Sequence, residues 1–220
     1  MIIVAIDEIT FKDASNIINK LNPEKCMIKI GSVAFNSIGH EIITYAAEKG
    51  FDIFLDLKLH DIPNTVEKSV KGLIVLPIKM LTIHTSGGKE MMKAAMKAVS
   101  GTDIKIFGVT TLTSLNDKDT NNIFQRTASE QVNAMLDLAE ISGIDGVVCS
   151  PHELKLVKNR DSLLSITPGI RLHDTNDDQK RIMTPKKAIN LGADYIVIGR
   201  PITTSNDIKK SLNDIYESIQ

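Results

Sequence analysis

Tryptophan is absent from this chain of 220 residues, and aromatic side chains make up only 4% of it. Proteins that bind single-stranded nucleic acid stack bases on aromatic side chains, so this scarcity argues against that class. The two cysteines, Cys26 and Cys149, lie far apart and form neither a disulfide framework nor a metal-binding spacing. An excess of charge of one sign is also missing, because 26 basic and 27 acidic residues leave a net charge of -1. This composition predicts no general attraction to nucleic acid or to an anionic membrane.

Long hydrophobic runs are missing as well. No run approaches the roughly 18 apolar residues of a membrane span. The first residues, 1–7, are apolar but too short and too soon acidic for a signal peptide. The hydrophobic share of 42% is nevertheless ample for a core. We therefore expect a cytoplasmic globular protein in which residues 1–220 form a single domain.

Short aliphatic runs alternate with longer amphipathic stretches along the whole chain, which indicates strands followed by helices. The predicted strands are Ile2–Asp7, Met27–Gly31, Phe51–Lys58, Met80–His84, Ile104–Thr110, Gly146–Ser150, Leu164–Gly169 and Tyr195–Gly199. The predicted helices are Lys12–Leu21, Ala34–Lys49, Asn64–Val75, Lys89–Val99, Ser129–Ser142, His152–Val157, Pro185–Leu191 and Asn206–Ile219. Eight such units predict an α/β fold, a (β/α)8 TIM barrel, with a doubly wound open sheet as the competing fold.

Polar residues gather where the predicted strands end. They are, in chain order, Asp7, Lys29, Asp56, Lys58, His84 and, directly after Gly199, Arg200. In a (β/α)8 barrel the C-terminal ends of the strands form one rim, and that rim carries the active site. The strand assignment alone therefore predicts a polar site at one end of the barrel.

The third predicted strand carries the most informative motif, Asp56-Leu57-Lys58-Leu59-His60-Asp61-Ile62-Pro63-Asn64-Thr65. Side chains two apart on a strand share a face, so Asp56 and Lys58 emerge side by side. Their spacing alone fits either a structural salt-bridge network or a group poised for proton transfer. The motif resembles that of the orotidine 5'-monophosphate decarboxylase family almost letter for letter, although Leu59 stands where many relatives carry Phe.

The resemblance implies an alternating array of Lys29, Asp56, Lys58 and Asp61, in which Asp61 comes from the partner subunit of a homodimer. Lys58 would be the proton donor, and the flanking carboxylates would favour its charged form. The resemblance also implies that Thr65 reaches a ribose hydroxyl across the dimer interface.

Further substrate contacts follow from the resemblance. Asp7 would bind a ribose hydroxyl alongside Lys29, and Thr113, in the segment after the fifth strand, would meet the amide edge of the pyrimidine. Arg171, in Thr167-Pro168-Gly169-Ile170-Arg171, would belong to the substrate site. Gln179 would come from the lid that this segment introduces and would reach the phosphate and the base.

The end of the eighth strand predicts a phosphate site. Gly199 lets backbone N–H groups approach an anion, and Arg200 offers a forked donor. The sequence predicts that helix resumes only after Thr203-Thr204-Ser205, which would leave a loop on which a dianion could sit. Loops after strands seven and eight commonly bind phosphate in these barrels.

The implied reaction converts orotidine 5'-monophosphate to uridine 5'-monophosphate with no metal and no cofactor. The five histidines show no HxxxH or HxH pairing, which argues against a metal site. Two alternatives stay open. One is the Mg²⁺-dependent 3-keto-L-gulonate 6-phosphate decarboxylase type, which also carries Asp-x-Lys-x-x-Asp. The other is a barrel that senses nucleotides without turnover.

Overall fold

A computed structural model describes residues 1–171 and 183–220, and its strands form a closed parallel barrel. The strands are β1 Ile2–Ile6, β2 Cys26–Gly31, β3 Ile53–Leu59, β4 Met80–His84, β5 Lys105–Val109, β6 Gly146–Val148, β7 Leu164–Thr167 and β8 Tyr195–Ile198. Each strand pairs with the next, and β1 pairs with β8 through Ile2 and Ile196, which closes the barrel. This closure confirms the predicted (β/α)8 fold and excludes the open sheet.

Helices surround the barrel in the described ranges. They are α1 Phe11–Ile18, α2 Ser32–Ile38, α3 Glu41–Glu48, α4 Pro63–Leu73, α5 Gly88–Val99, α6 Asp117–Phe124, α7 Ala128–Ser142, α8 Leu154–Lys158, α9 Pro185–Asn190, α10 Arg200–Thr203 and α11 Ile208–Ser218. None of the helices in the described ranges combines the length and the apolar character needed to cross a membrane.

Two apolar layers explain why the strands are hydrophobic almost throughout. Alternate side chains of a strand point to opposite faces, so Ile3 and Ala5 of β1 fill the barrel interior, whereas Ile2, Val4 and Ile6 pack outward against the helices. The interior cluster is Ile3, Ala5, Met27, Phe54, Met80, Phe107, Ile166 and Val197. This cluster forms an apolar floor under the C-terminal end of the barrel.

The interior becomes polar toward that C-terminal end. Lys29 is the next inward position after Met27 on β2, and Asp56 is the next after Phe54 on β3. The site is therefore set on rigid strands above a packed hydrophobic layer, which holds its side chains in place.

Three helix predictions were wrong. Ala34–Lys49 was predicted as one helix, but Gly39 at φ 81° ends α2 and the chain restarts as α3. The predicted helices omitted α6, because it buries only Thr120 and so shows no apolar stripe. Its capping box, in which Asn116 and Asp119 exchange hydrogen bonds, is the sequence signal that would have found it. The third error concerns α10 and bears on the phosphate site.

Candidate active site

A cavity of about 300 Å³ opens at the C-terminal ends of the strands. The predicted site residues that line it are Asp7, Lys29, Asp56, Lys58, Thr113, Arg171, Gly199 and Arg200. They come from six different strands or the segments that follow them, so the closed barrel brings together residues far apart in sequence. Strand β6 adds Val148 and the following Cys149 to the lining, whereas no residue of β4 is among the described lining residues.

A row of alternating charges crosses one side of the cavity. Lys29 Nζ lies 3.2 Å from Asp7 Oδ1 and 3.7 Å from Asp56 Oδ2. Lys58 Nζ approaches the same Asp56 oxygen at 2.7 Å, close enough for a charge-assisted hydrogen bond. The predicted pairing of Asp56 with Lys58 at the end of β3 is thus present, and Asp7 and Lys29 extend it.

Asp56 is the central and most buried member of this row, with only 7% of the residue exposed. Burial by itself would raise the pKa of its carboxyl group. The ammonium groups of Lys29 and Lys58, with hydrogen bonds from Lys58 and Thr82, outweigh burial and hold the pKa of Asp56 below its ordinary value. The site therefore keeps a carboxylate in a buried position.

The backbone of Lys58 adopts an unusual conformation. Its φ of 52° lies in the left-handed region that residues other than glycine rarely adopt. The pairing of β3 with β4 also shifts register between Leu55 and Leu59. The Lys58 N–H donates to the hydroxyl of Thr82 on β4 at 2.8 Å. Sequence analysis did not single out Thr82, although a threonine at an inward position of an apolar strand is a signal that could have found it.

Two histidines lie beside Lys58. The rings of His60 and His84 are tilted against each other with centroids 5.2 Å apart. Burial lowers the pKa of His84, and the neighbouring His60 and Lys58 lower it further against the opposing effect of Asp56. These effects favour the neutral form of His84 beside the charged row.

The predicted phosphate residues line the cavity at the end of β8, the strand that pairs with β1. Gly199 and Arg200 both line it, but helix α10 begins at Arg200, so the prediction that helix resumes only after Ser205 was wrong. Pro201 suits the first turn, and the N–H groups of Ile202 and Thr203 donate to the Gly199 carbonyl at 2.9 and 3.0 Å. The end of β8 therefore turns directly into helix.

Arg171 is buried at the edge of the cavity, with 7% of the residue exposed. Its Nη1 donates to the carbonyl of Ile170 at 3.0 Å, and its backbone N–H donates to Met183 at 3.0 Å. Gln179 lies outside the described residues.

Asp61 and Thr65 stand apart from the cavity lining. Both are exposed, and Asp61 Oδ1 accepts a hydrogen bond from the N–H of Ile62 at 2.6 Å. Within residues 1–171 and 183–220, no lysine or arginine pairs with Asp61. Within one subunit, these residues do not join the row of charges.

The cavity also contains residues that sequence analysis did not assign to it. Cys149 lines it, and burial raises the pKa of its thiol, which makes it a poor nucleophile. Thr111 lines it too, and its buried hydroxyl has no hydrogen-bond partner among the described residues. In the same described ranges, no three His, Cys, Asp or Glu side chains are grouped to hold a metal ion.

Comparison with known proteins supplies the family. Residues 1–215 match the family described as "Orotidine 5'-phosphate decarboxylase / HUMPS family". Orotidine 5'-phosphate decarboxylase of Saccharophagus degradans is 43% identical over 220 residues, which cover 97% of this chain and 92% of that protein. The enzyme of the same name from Staphylococcus saprophyticus is 44% identical over 225 residues, covering 98% of this chain and 96% of that protein.

A solved structure agrees with this result. The crystal structure of orotidine 5'-phosphate decarboxylase from Lactobacillus acidophilus superposes with a TM-score of 0.87 at 36% identity, covering 100% of this chain and 98% of that one. Sequence and fold thus agree over nearly the whole length. The chain belongs to the orotidine 5'-phosphate decarboxylase / HUMPS family.

Proposed function

We propose that this protein decarboxylates orotidine 5'-monophosphate to uridine 5'-monophosphate and carbon dioxide, the last step of uridine monophosphate biosynthesis. The observation that carries the proposal is the salt-bridged row of Asp7, Lys29, Asp56 and Lys58 at the mouth of the barrel. The names of the relatives support the same reaction.

The chemistry explains why such a row is useful. Breaking the bond between ring carbon C6 and the substrate carboxylate leaves an electron pair in the plane of the ring, where the π-system cannot delocalise it. Stabilisation must come from fixed charge near C6, and preorganised charge acts strongly where water is excluded. The ammonium of Lys58 supplies that charge. It then transfers a proton to C6 as carbon dioxide leaves, and solvent reprotonates it.

The remaining residues orient the reacting groups. Asp56 Oδ2 holds the Lys58 ammonium at 2.7 Å, and Lys29 Nζ lies 3.7 Å from the same carboxylate oxygen. In the proposal Asp7 and Lys29 bind a ribose hydroxyl, and Thr113 binds the amide edge of the pyrimidine. The proposed chemistry draws on no metal and no organic cofactor.

The phosphate would bind at Gly199 and Arg200, which line the cavity where β8 ends beside β1. Arg171 and, from the segment outside the described residues, Gln179 would complete the substrate site. The phosphate group of the substrate is remote from C6. The binding energy of its contacts can therefore be used to assemble the charged row around the substrate.

The proposal includes a homodimer that shares its active sites. Asp61 and Thr65 are exposed in a single subunit, and the adjacent apolar residue Ile62 is 66% exposed. An interface over this face would cover Ile62 and bring Asp61 and Thr65 to the partner's cavity. Such an arrangement completes the row with a second carboxylate beside Lys58.

The test is an assay with orotidine 5'-monophosphate in the presence of a chelator, following loss of the orotate absorbance. A Lys58→Ala protein purified in parallel controls for contaminating enzyme. Rapid conversion by the unmodified chain alone supports the proposal. Tight binding without conversion would instead indicate a nucleotide sensor. Conversion of a sugar phosphate only when Mg²⁺ is added would indicate the metal-dependent type.

A further inference from the structure

Thr82 occupies an unusual position for a polar residue. It is the inward position of β4 between Met80, which belongs to the apolar interior cluster, and His84. Thr82 is completely buried, and it is absent from the described residues that line the cavity. A buried hydroxyl costs free energy unless it is hydrogen-bonded, so its partners show what it does there.

Both hydrogen bonds of the Thr82 hydroxyl go to the charged row. Oγ1 accepts the backbone N–H of Lys58 at 2.8 Å and donates to Asp56 Oδ1 at 2.9 Å. A hydroxyl has a single proton, so acceptance from Lys58 leaves that proton free for Asp56. The other carboxylate oxygen, Oδ2, faces the two lysines. Each oxygen of Asp56 thus has its own partners, and the carboxylate is held against rotation.

The backbone of Lys58 needs this support. Its left-handed conformation is costly for a residue with a side chain and persists only where the surroundings impose it. The register shift between Leu55 and Leu59 interrupts the regular pairing with β4 at this point. There the Thr82 hydroxyl accepts the hydrogen bond of the Lys58 N–H.

We propose that Thr82 is a positioning residue for decarboxylation, which orients Asp56 and the backbone of Lys58 together without touching the substrate. The inference rests on the proposed function. It assigns to β4 a share in the chemistry, although none of its described residues lines the cavity. A single hydroxyl aligns the proton donor and the carboxylate that holds it, so its loss displaces both at once.

The experiment compares Thr82→Val with Thr82→Ser. Valine keeps the shape of threonine and removes both hydrogen bonds, whereas serine keeps the hydroxyl and loses a buried methyl group. We expect Thr82→Val to lower the single-turnover rate of decarboxylation about tenfold or more, as loss of a hydrogen bond to a charged group does. Thr82→Ser should stay within about threefold of the unmodified chain. The affinity for uridine 5'-monophosphate should change less than about twofold in both variants, because the proposed phosphate, ribose and base contacts are made by residues other than Thr82, Asp56 and Lys58.

Thermal unfolding of the same proteins separates positioning from stability. Serine leaves a small void where the methyl group was, so Thr82→Ser should melt below the unmodified chain while it keeps the rate. If the single-turnover rate of the variants decreases with their melting temperature, whether or not the hydroxyl is present, the inference is overturned. A loss of nucleotide affinity with an unchanged single-turnover rate would also overturn it.

If the valine variant does not fold, Thr82→Cys takes its place. Its thiol is similar in size to the hydroxyl that it replaces and is only a weak hydrogen-bond donor and acceptor. Its rate should lie clearly below that of Thr82→Ser, and equal rates would overturn the inference. An unmodified chain with no decarboxylase activity overturns the proposed function itself. An active chain whose valine variant is equally fast overturns only the role of Thr82.

Discussion

Lys58 and Asp61 lie close together in the chain, yet the proposed function assigns them to different subunits at any one active site. Mixing a Lys58→Ala protein with an Asp61→Asn protein tests this assignment. Each variant alone lacks one member of the row at both sites of its dimer, so each should be inactive. Exchange of subunits produces mixed dimers in which one site carries both substitutions and the other carries neither.

The expected recovery follows from the symmetry of the dimer. Random exchange between equal amounts makes about half of the dimers mixed, and one of the two sites in each is intact, so about a quarter of all sites become active. The matched control mixes Lys58→Ala with Asp56→Asn. Lys58 Nζ and Asp56 Oδ2 lie 2.7 Å apart within one chain, so every site in that mixture keeps a defect.

The assay follows the orotate absorbance after mixing, while native mass spectrometry of dimers that differ in mass records the exchange. Activity should rise with the fraction of mixed dimers in the first mixture and stay at the background in the control. If exchange is complete and the first mixture stays at that background, Asp61 does not act across the interface. Recovery in the control would contradict the placement of Asp56 and Lys58 in one site.

Three further predictions follow from the same geometry. Lys58→Ala should abolish single turnover while orotidine 5'-monophosphate still binds in an equilibrium titration; substantial residual turnover would contradict its role as proton donor. Arg200→Ala should weaken substrate binding by about 10- to 100-fold, since it removes a charge-assisted contact, and added phosphite dianion should restore part of the rate; unchanged kinetics would count against a phosphate contact. Burial, together with His60 and Lys58, lowers the pKa of His84 from 6.5, so the folded state disfavours its protonation, and stability should fall as pH drops below that value. His84→Gln should lose less stability than the unmodified chain in urea titrations between about pH 7.5 and about pH 5; equal losses would refute this cause.

Much of the fold could be read from the chain because parallel strands buried on both faces are hydrophobic almost throughout. All eight predicted strands exist, and β4 has the predicted bounds Met80–His84. Helix boundaries were harder to predict. The break at Gly39 divides a continuous amphipathic pattern, and α6 buries too little to show such a pattern.

The site was predictable where a residue ends a strand. Asp7, Lys29, Asp56 and Lys58 could be placed at one rim because the C-terminal ends of parallel strands share that rim. Arg200 follows the same rule, although the short helix that begins there was missed. This helix, Arg200–Thr203, is only about one turn long, so the sequence shows no helical periodicity there.

By itself, the sequence determined which residues face the barrel interior and which charged residues stand at its rim, because alternation along a strand is a local property. Only the tertiary structure decided that Thr82 meets Lys58 and Asp56, which are 24 and 26 residues away in the chain. That contact depends on the register between β3 and β4, and the register shifts at the very residues concerned. A register is a relation between two strands that are distant in sequence, so no local pattern within either strand records it.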